Sequence, residues 1–141
     1  MVSPQPPVSH ILETSLYVSE LAPSKEFYQR IFGFVPVFEN DRMCALAVPG
    51  SAVLLLFLRD RSLQPSEAPG GTIPPHGGHG ALHVCFAIPR PSLDDWLAHL
   101  AAENVGIESK VTWKYGGTSV YFRDPDGHSV EVATPGLWKN Y

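Results

Sequence analysis

Basic side chains are scarce in this chain: ten lysines and arginines stand against fourteen aspartates and glutamates, for a net charge of −4. The ten are scattered, with no basic stripe and no interleaved ladder of aromatics, which argues against nucleic acid as a partner. Cysteine is scarcer still. Cys44 and Cys85 show no metal-type spacing and read as two reduced thiols of a cytoplasmic protein. No apolar run is long enough to span a membrane. The first ten residues, MVSPQPPVSH, have neither a basic start nor an apolar core, so they do not read as a secretory signal. What remains is a single domain with a sizeable core, with neither nucleic acid nor membrane as an expected partner.

Turn-forming residues, by contrast, are plentiful: fourteen prolines and twelve glycines. They fall between apolar runs and so mark turns rather than disorder. Residues 1–9 read as an extended lead-in. Residues 10–18 alternate as a strand, with Leu12, Leu16 and Val18 on one parity and Glu13, Ser15 and Tyr17 on the other. A helix follows over about 23–32, with Pro23 in its first turn, the i,i+4 pairs Phe27/Ile31 and Tyr28/Phe32, and Gly33 as its stop. Three short strands come next, near 34–39, 43–48 and 52–59.

Residues 60–80 carry glycine and proline without periodicity and read as a loop over a site or a crossing between two halves. From Ala81 the first pattern returns. Its elements are a strand ALHVCFAI, a helix with Ser92 as cap and a Trp96/Leu97/Leu100 stripe, then strands near 107–113, 118–123 and 128–133. The order is βαβββ, loop, βαβββ, an internal duplication with a period near 70 residues. The expected architecture is α+β: two βαβββ modules (about 10–60 and 81–135, joined by loop 61–80) forming a curved, partly open mixed sheet with helices outside. Residues 136–141 are an aromatic tail. The open sheet edges of such a fold favour a homodimer.

Setting the two first strands in register places Glu13 on His83. The last hairpin, SVYFRDPDGHSVEVAT, turns at Pro125-Asp126-Gly127 and sets Tyr121 opposite Glu131 on one face. A carboxylate between Val130 and Val132 does not suit a face packed on hydrocarbon. Joined about a pseudo-twofold axis, the polar faces offer Glu13, His83 and Glu131 as ligands for a divalent metal, with Tyr121, Ser15 and Ser119 beside them to bind substrate. Such a metal would polarise a substrate oxygen or acidify a proton next to a carbonyl. His10 has the wrong parity to compete with Glu13. His76 and His79, in the glycine-rich loop, either close over a substrate or, as is commoner for such histidines, stand in solvent, and His128 reads as structural. Gly116-Gly117 either lets a substrate approach the backbone or relaxes the strand entry.

LETSLYVSELAPSKEFYQRIFGF, LHVCFAI and YFRDPDGHSVEVATP together resemble the vicinal oxygen chelate superfamily. This superfamily includes glyoxalase I, bleomycin-resistance proteins, fosfomycin-resistance thiol transferases and extradiol dioxygenases. The resemblance implies that the metal ligands fall on Glu13, His83 and Glu131, that Glu13 or Glu131 acts as base, and that Tyr121 contacts substrate. It implies a divalent cation (Zn, Ni, Mn, Fe or Mg) and makes glutathione a candidate co-substrate. The expected activity is that of a lyase, isomerase or thiol transferase on a small oxygen-rich substrate. An extradiol-type dioxygenase is one alternative, weakened by Glu13 where that class has histidine. A non-catalytic drug-binding protein with Trp113, Tyr115 and Trp138 lining its cleft is the other.

Overall fold

The computed structural model describes residue 1 and residues 4–141. The first module runs β1 (Glu13–Val18), α1 (Leu21–Phe32), β2 (Val35–Glu39), β3 (Met43–Val48) and β4 (Ala52–Leu58). A small hairpin, β5 (Ser66–Ala68) and β6 (Gly71–Ile73), interrupts the segment read from sequence as an unstructured loop. The second module runs β7 (His83–Ala87), α2 (Leu93–Ala102), β8 (Ser109–Thr112), β9 (Thr118–Arg123) and β10 (Ser129–Ala133). The two modules have the same topology: strand order β1-β4-β3-β2 in one sheet and β7-β10-β9-β8 in the other, with the first and last strands of each module parallel. The α+β duplication is therefore seen. Its sheet is divided into two four-stranded halves rather than hydrogen-bonded into one.

Local details follow the residues. Helix α1 begins two residues earlier than Pro23, which sits in the first turn where a missing N–H costs nothing. It ends at Gly33, left-handed at φ 70°, whose N–H closes onto the Gln29 carbonyl. Ser92 does not cap α2 with its side chain; a 3-10 turn over Arg90–Ser92 leads in instead.

One apolar core lies beneath both sheets. Leu16, Val18, Leu46, Leu54 and Leu56 of the first sheet and Val120, Phe122, Val130 and Val132 of the second all meet it, with Phe27, Tyr28 and Ile31 of α1 and Leu100 of α2. Each such side chain contributes on the order of 2 kcal/mol through removal from water. Phe32, at the end of α1, joins the modules. Its ring centroid is 5.0 Å from Phe34 in the first, and 4.7 and 5.2 Å from Phe86 and Trp96 in the second.

The polar tie between the modules is the turn 124–127. Asp124 Oδ1 accepts the backbone N–H groups of Asp126 and His128, while Oδ2 accepts the buried Tyr28 hydroxyl at 2.8 Å. Asp126 reaches further, accepting Ser19 N–H at 2.8 Å and the Ser24 hydroxyl at 3.2 Å, with Arg59 3.8 Å away. His128 is fully buried. Its Nδ1 accepts the Leu82 N–H, so Nε2 carries the hydrogen and donates to the Tyr17 carbonyl at 2.7 Å. The Tyr28 phenol is pushed up from its ordinary pKa by burial and then by the Asp124 charge, so it stays a donor.

Burial alone would raise the Asp126 carboxyl, but the hydrogen bonds from Ser19 and Ser24 and the Arg59 charge outweigh it, and its pKa lies below the usual value. A carboxylate depressed in the folded state stabilises above its unfolded pKa and loses that contribution as pH falls through the folded value. Asp126→Asn should therefore cost about 1–2 kcal/mol in urea unfolding at neutral pH. The gap between the two proteins should narrow once pH drops below about 4. A gap that stayed constant with pH would show that the charge of Asp126 contributes nothing.

Candidate functional site

Each sheet turns one face to the core, and period-two alternation sends the intervening side chains to the opposite face. In the second module the register aligns Cys85, Glu131, Tyr121 and Ser109 in one row across β7, β10, β9 and β8. His83 lies two residues before Cys85, diagonal to Glu131. This face lines a cavity of about 340 Å³ with His83, Cys85, Glu131 and Tyr121 on its floor and Trp113 and Trp138 at its side.

The His83–Glu131 pair is the most informative geometry in the molecule. His83 Nδ1 lies 3.0 Å from the Ser129 carbonyl, which can only accept, so Nδ1 carries the hydrogen. In the neutral ring Nε2 is then a lone pair, and it points at Glu131 Oε2 from 3.1 Å. Two acceptors face each other and need a proton or a cation between them. Glu131 is 4% exposed, and its second oxygen, Oε1, is buried without any hydrogen-bond partner. A histidine fixed by a backbone carbonyl and aimed beside a carboxylate with an unused buried oxygen fits two ligands of a metal. Among the described residues, no group of three or more His, Cys, Asp or Glu side chains forms a complete set.

Neighbouring groups adjust to the Glu131 charge. Cys85 keeps exposed surface as a residue, yet its thiol is desolvated enough, with the Glu131 charge adding, that its pKa is pushed up to about 12. At neutral pH it is a thiol. Tyr121 is likewise raised, first by desolvation and then by Glu131, and remains a hydroxyl donor. Ser119 is fully buried, and its Oγ accepts the Trp113 indole N–H at 2.8 Å, which fixes the ring at the cavity wall.

Glu13 and Ser15 lie elsewhere. They are exposed on β1 and line a second cavity, about 530 Å³, on the first module's polar face. One chain thus brings His83, Glu131 and Tyr121 together but not Glu13. His76 closes over this second cavity: its Nδ1 is 2.8 Å from the Tyr17 hydroxyl, and its ring meets the edge of Phe57 at 4.4 Å. His10 bonds the Ser51 carbonyl, and His79 pairs with Asp60.

The sequence offered Trp138 as a cleft residue only under the drug-binding alternative, and it did not show how the tail reaches the sheet. Trp138 reaches the His83 cavity because residues 135–141 are pinned to the sheet. Arg90 holds the Gly116 and Pro135 carbonyls, and the Tyr141 hydroxyl donates to the Ala133 carbonyl. Gly117 serves this docking, since a Cβ there would stand 2.6 Å from Gly136 backbone. The pair Gly116-Gly117 was the available signal, pointing to a close backbone approach whose partner only the fold reveals.

A model of the Glyoxalase/Bleomycin resistance protein/Dioxygenase superfamily matches residues 8–132. Biphenyl-2,3-diol 1,2-dioxygenase 3 of Rhodococcus globerulus is 30% identical over 121 residues, 83% of this chain but only 58% of that protein. The chain therefore spans little more than half the length of that relative. Metallothiol transferase FosB of Staphylococcus saprophyticus is 27% identical over 90% of this chain and 78% of the transferase. Among solved structures, a lactoylglutathione lyase from Agrobacterium tumefaciens superposes with a TM-score of 0.85 at 34% identity, covering 95% of this chain and 99% of that one.

An orphaned buried carboxylate oxygen destabilises a protein that holds no cation. Glu131→Gln removes the charge and gives the side chain an N–H to donate to His83 Nε2. In chelator-treated protein this change should stabilise the fold by about 1 kcal/mol, read from denaturant midpoints. A loss of stability instead would mean that the carboxylate supports the fold and that its geometry is not a functional strain.

Proposed function

The chain belongs to the Glyoxalase/Bleomycin resistance protein/Dioxygenase superfamily, and from that membership we propose a metal-dependent lyase, isomerase or thiol transferase acting on a small oxygen-rich substrate. His83 and Glu131 of one copy and Glu13 of a second copy would hold a divalent cation. The observation that carries this reading is the His83 imidazole, anchored through Nδ1 with Nε2 directed at a carboxylate whose other oxygen is orphaned. The second copy is invoked because Glu13 opens into a separate cavity. Moreover β1 and β7 are both sheet edges, and apolar Ile11 and Leu12 stand exposed just before β1.

When bound, such a cation polarises neighbouring substrate oxygens. The protein's own groups do the rest. Glu131, or Glu13 with its exposed carboxylate, accepts the substrate proton. Tyr121, held as a phenol, donates a hydrogen bond to a substrate oxygen, and Ser15 offers a second hydroxyl from the partner face. Trp113 and Trp138 exclude water from one side of the cavity. Thiol transfer would draw its nucleophile from a co-substrate such as glutathione.

A dioxygenase is a second reading, favoured by the 30% identity to a ring-cleaving relative. Oxygen uptake with catechol after anaerobic iron loading would replace the first reading with this one.

Protein purified without chelator should contain a stoichiometric divalent metal, and Glu13→Ala, His83→Ala and Glu131→Ala should each lose it. Co-expression tests the shared site. Mixed dimers of Glu13→Ala and His83→Ala chains contain one intact set of ligands, so they should recover about half the native metal content. No recovery would place all three ligands within one chain, and unchanged metal in Glu131→Ala would sink the assignment.

A further inference from the structure

The larger cavity, on the first module, carries a pattern that the metal ligands do not explain. Register fixes its layout. Glu13 pairs with Val53 at one end, Ser15 with Leu55 in the middle, and Tyr17 with Phe57 and then Met43 at the other end. Tyr17 is four residues beyond Glu13, so the two ends are about 13 Å apart. The floor between them is apolar, since Leu55 occupies the place in this module that Glu131 holds in the other. At the Tyr17 end, Tyr17, Phe57 and His76 form an aromatic shelf with ring centroids 4.4–6.0 Å apart.

Arg42 lines this same end, immediately before Met43. Among the described residues it has no carboxylate partner in an ion pair. One of its terminal nitrogens donates to the Arg61 carbonyl at 3.3 Å, which holds the side chain against the loop and leaves its other N–H groups uncommitted. Arg30, Arg59 and Arg123 face carboxylates; of the three arginines without an ion pair among the described residues, Arg90 is committed to two backbone carbonyls and only Arg42 lines this cavity. Ser62 and Gln64 supply further polar groups to the cavity wall. An arginine left without an acid in a chain of net charge −4, at the end of an apolar trench, has the chemistry of an oxyanion receptor.

We propose that Arg42 recognises a carboxylate on the substrate. The substrate class is then an elongated acid: two neighbouring oxygens at the Glu13 end, a flat apolar body over Leu55 and Phe57, and a carboxylate on Arg42. This deepens the metal reading above and rests on it for the oxygens at the Glu13 end; the carboxylate subsite itself stands on the first module alone.

Paired ligands test it by calorimetry. On manganese-loaded protein, dihydrocaffeate carries the carboxylate and propylcatechol lacks it. Dihydrocaffeate should bind about tenfold tighter or better, the scale of one charge-assisted contact. Arg42→Met should bring the ratio near one, and Arg42→Lys should keep part of it, with manganese content equal in all three proteins. On metal-free protein, hydrocinnamate should outbind hydrocinnamyl alcohol, and Arg42→Met should abolish that preference. A ratio near one in native protein, or one that survives Arg42→Met, overturns the proposal. Failure to bind manganese overturns only the metal reading, because the metal-free pair still decides the carboxylate subsite.

Discussion

The docking of residues 124–128 of the second module onto the β1–α1 junction of the first is the constraint on which the rest depends. Asp124, Asp126 and His128 are buried groups of high desolvation cost, and each is matched by a specific donor or acceptor: Tyr28, Ser19, Ser24, Leu82 and the Tyr17 carbonyl. Apolar packing alone tolerates sliding of one sheet past another. A set of buried polar groups does not, because a shift of one residue leaves several unpaired at once. The turn therefore sets the angle at which the two modules meet. It also sets the register of β9 against β10, which puts Tyr121 opposite Glu131. The same hairpin fastens the fold at its tip and sets Tyr121 and Glu131 side by side along its strands.

The duplication has diverged in a way that divides labour. Backbone and pairing are the same in both halves, and Glu13 and His83 stand at matching first positions of β1 and β7. Beyond that the polar faces part company. The row that reads Cys85, Glu131 and Tyr121 in the second module reads Ser15, Leu55 and Ala45 in the first. Only the second module sets a buried acid beside a phenol on this face. The other has an apolar floor, an aromatic shelf and, among the described residues, Arg42 without an ion-pair partner. On the proposed reading, one face holds a charge and the other a molecule.

Most of this was legible in residues whose local pattern matches their environment. Strand alternation gave the face of Glu131 because Val130 and Val132 leave no other choice, and the repeat followed from two copies of strand, helix and three strands. The role of the DPDG turn was read too narrowly. Its Asx-type local bonds are visible in sequence, but the contacts of Asp126 with Ser19 and of Asp124 with Tyr28 join residues about a hundred positions apart. The hairpin at 66–73 was hidden because its six paired residues include Gly71 and no alternating apolar run. Trp138 was named as a cleft aromatic under the drug-binding alternative, but the route that brings it there was hidden. It is locally a surface residue, and only the docking of the tail through Gly117 and Gly136 carries it to the cavity.

The placement of the two carboxylates has an energetic logic of its own. Glu131 is preorganised: buried, held on a paired strand and short of a partner, so its cost is borne in folding. Glu13 is exposed and loses little while it stays in water. On the reading that a second copy supplies Glu13, closing the dimer would desolvate it next to a second carboxylate, which without a cation is unfavourable by like-charge repulsion. A cation reverses the sign of that interaction. Metal affinity and association of the two chains are then linked, each strengthening the other by the same free energy. A site divided in this way has its full donor set only when the cation and both chains are present, and each isolated half keeps a charge pattern too incomplete to capture a metal by itself.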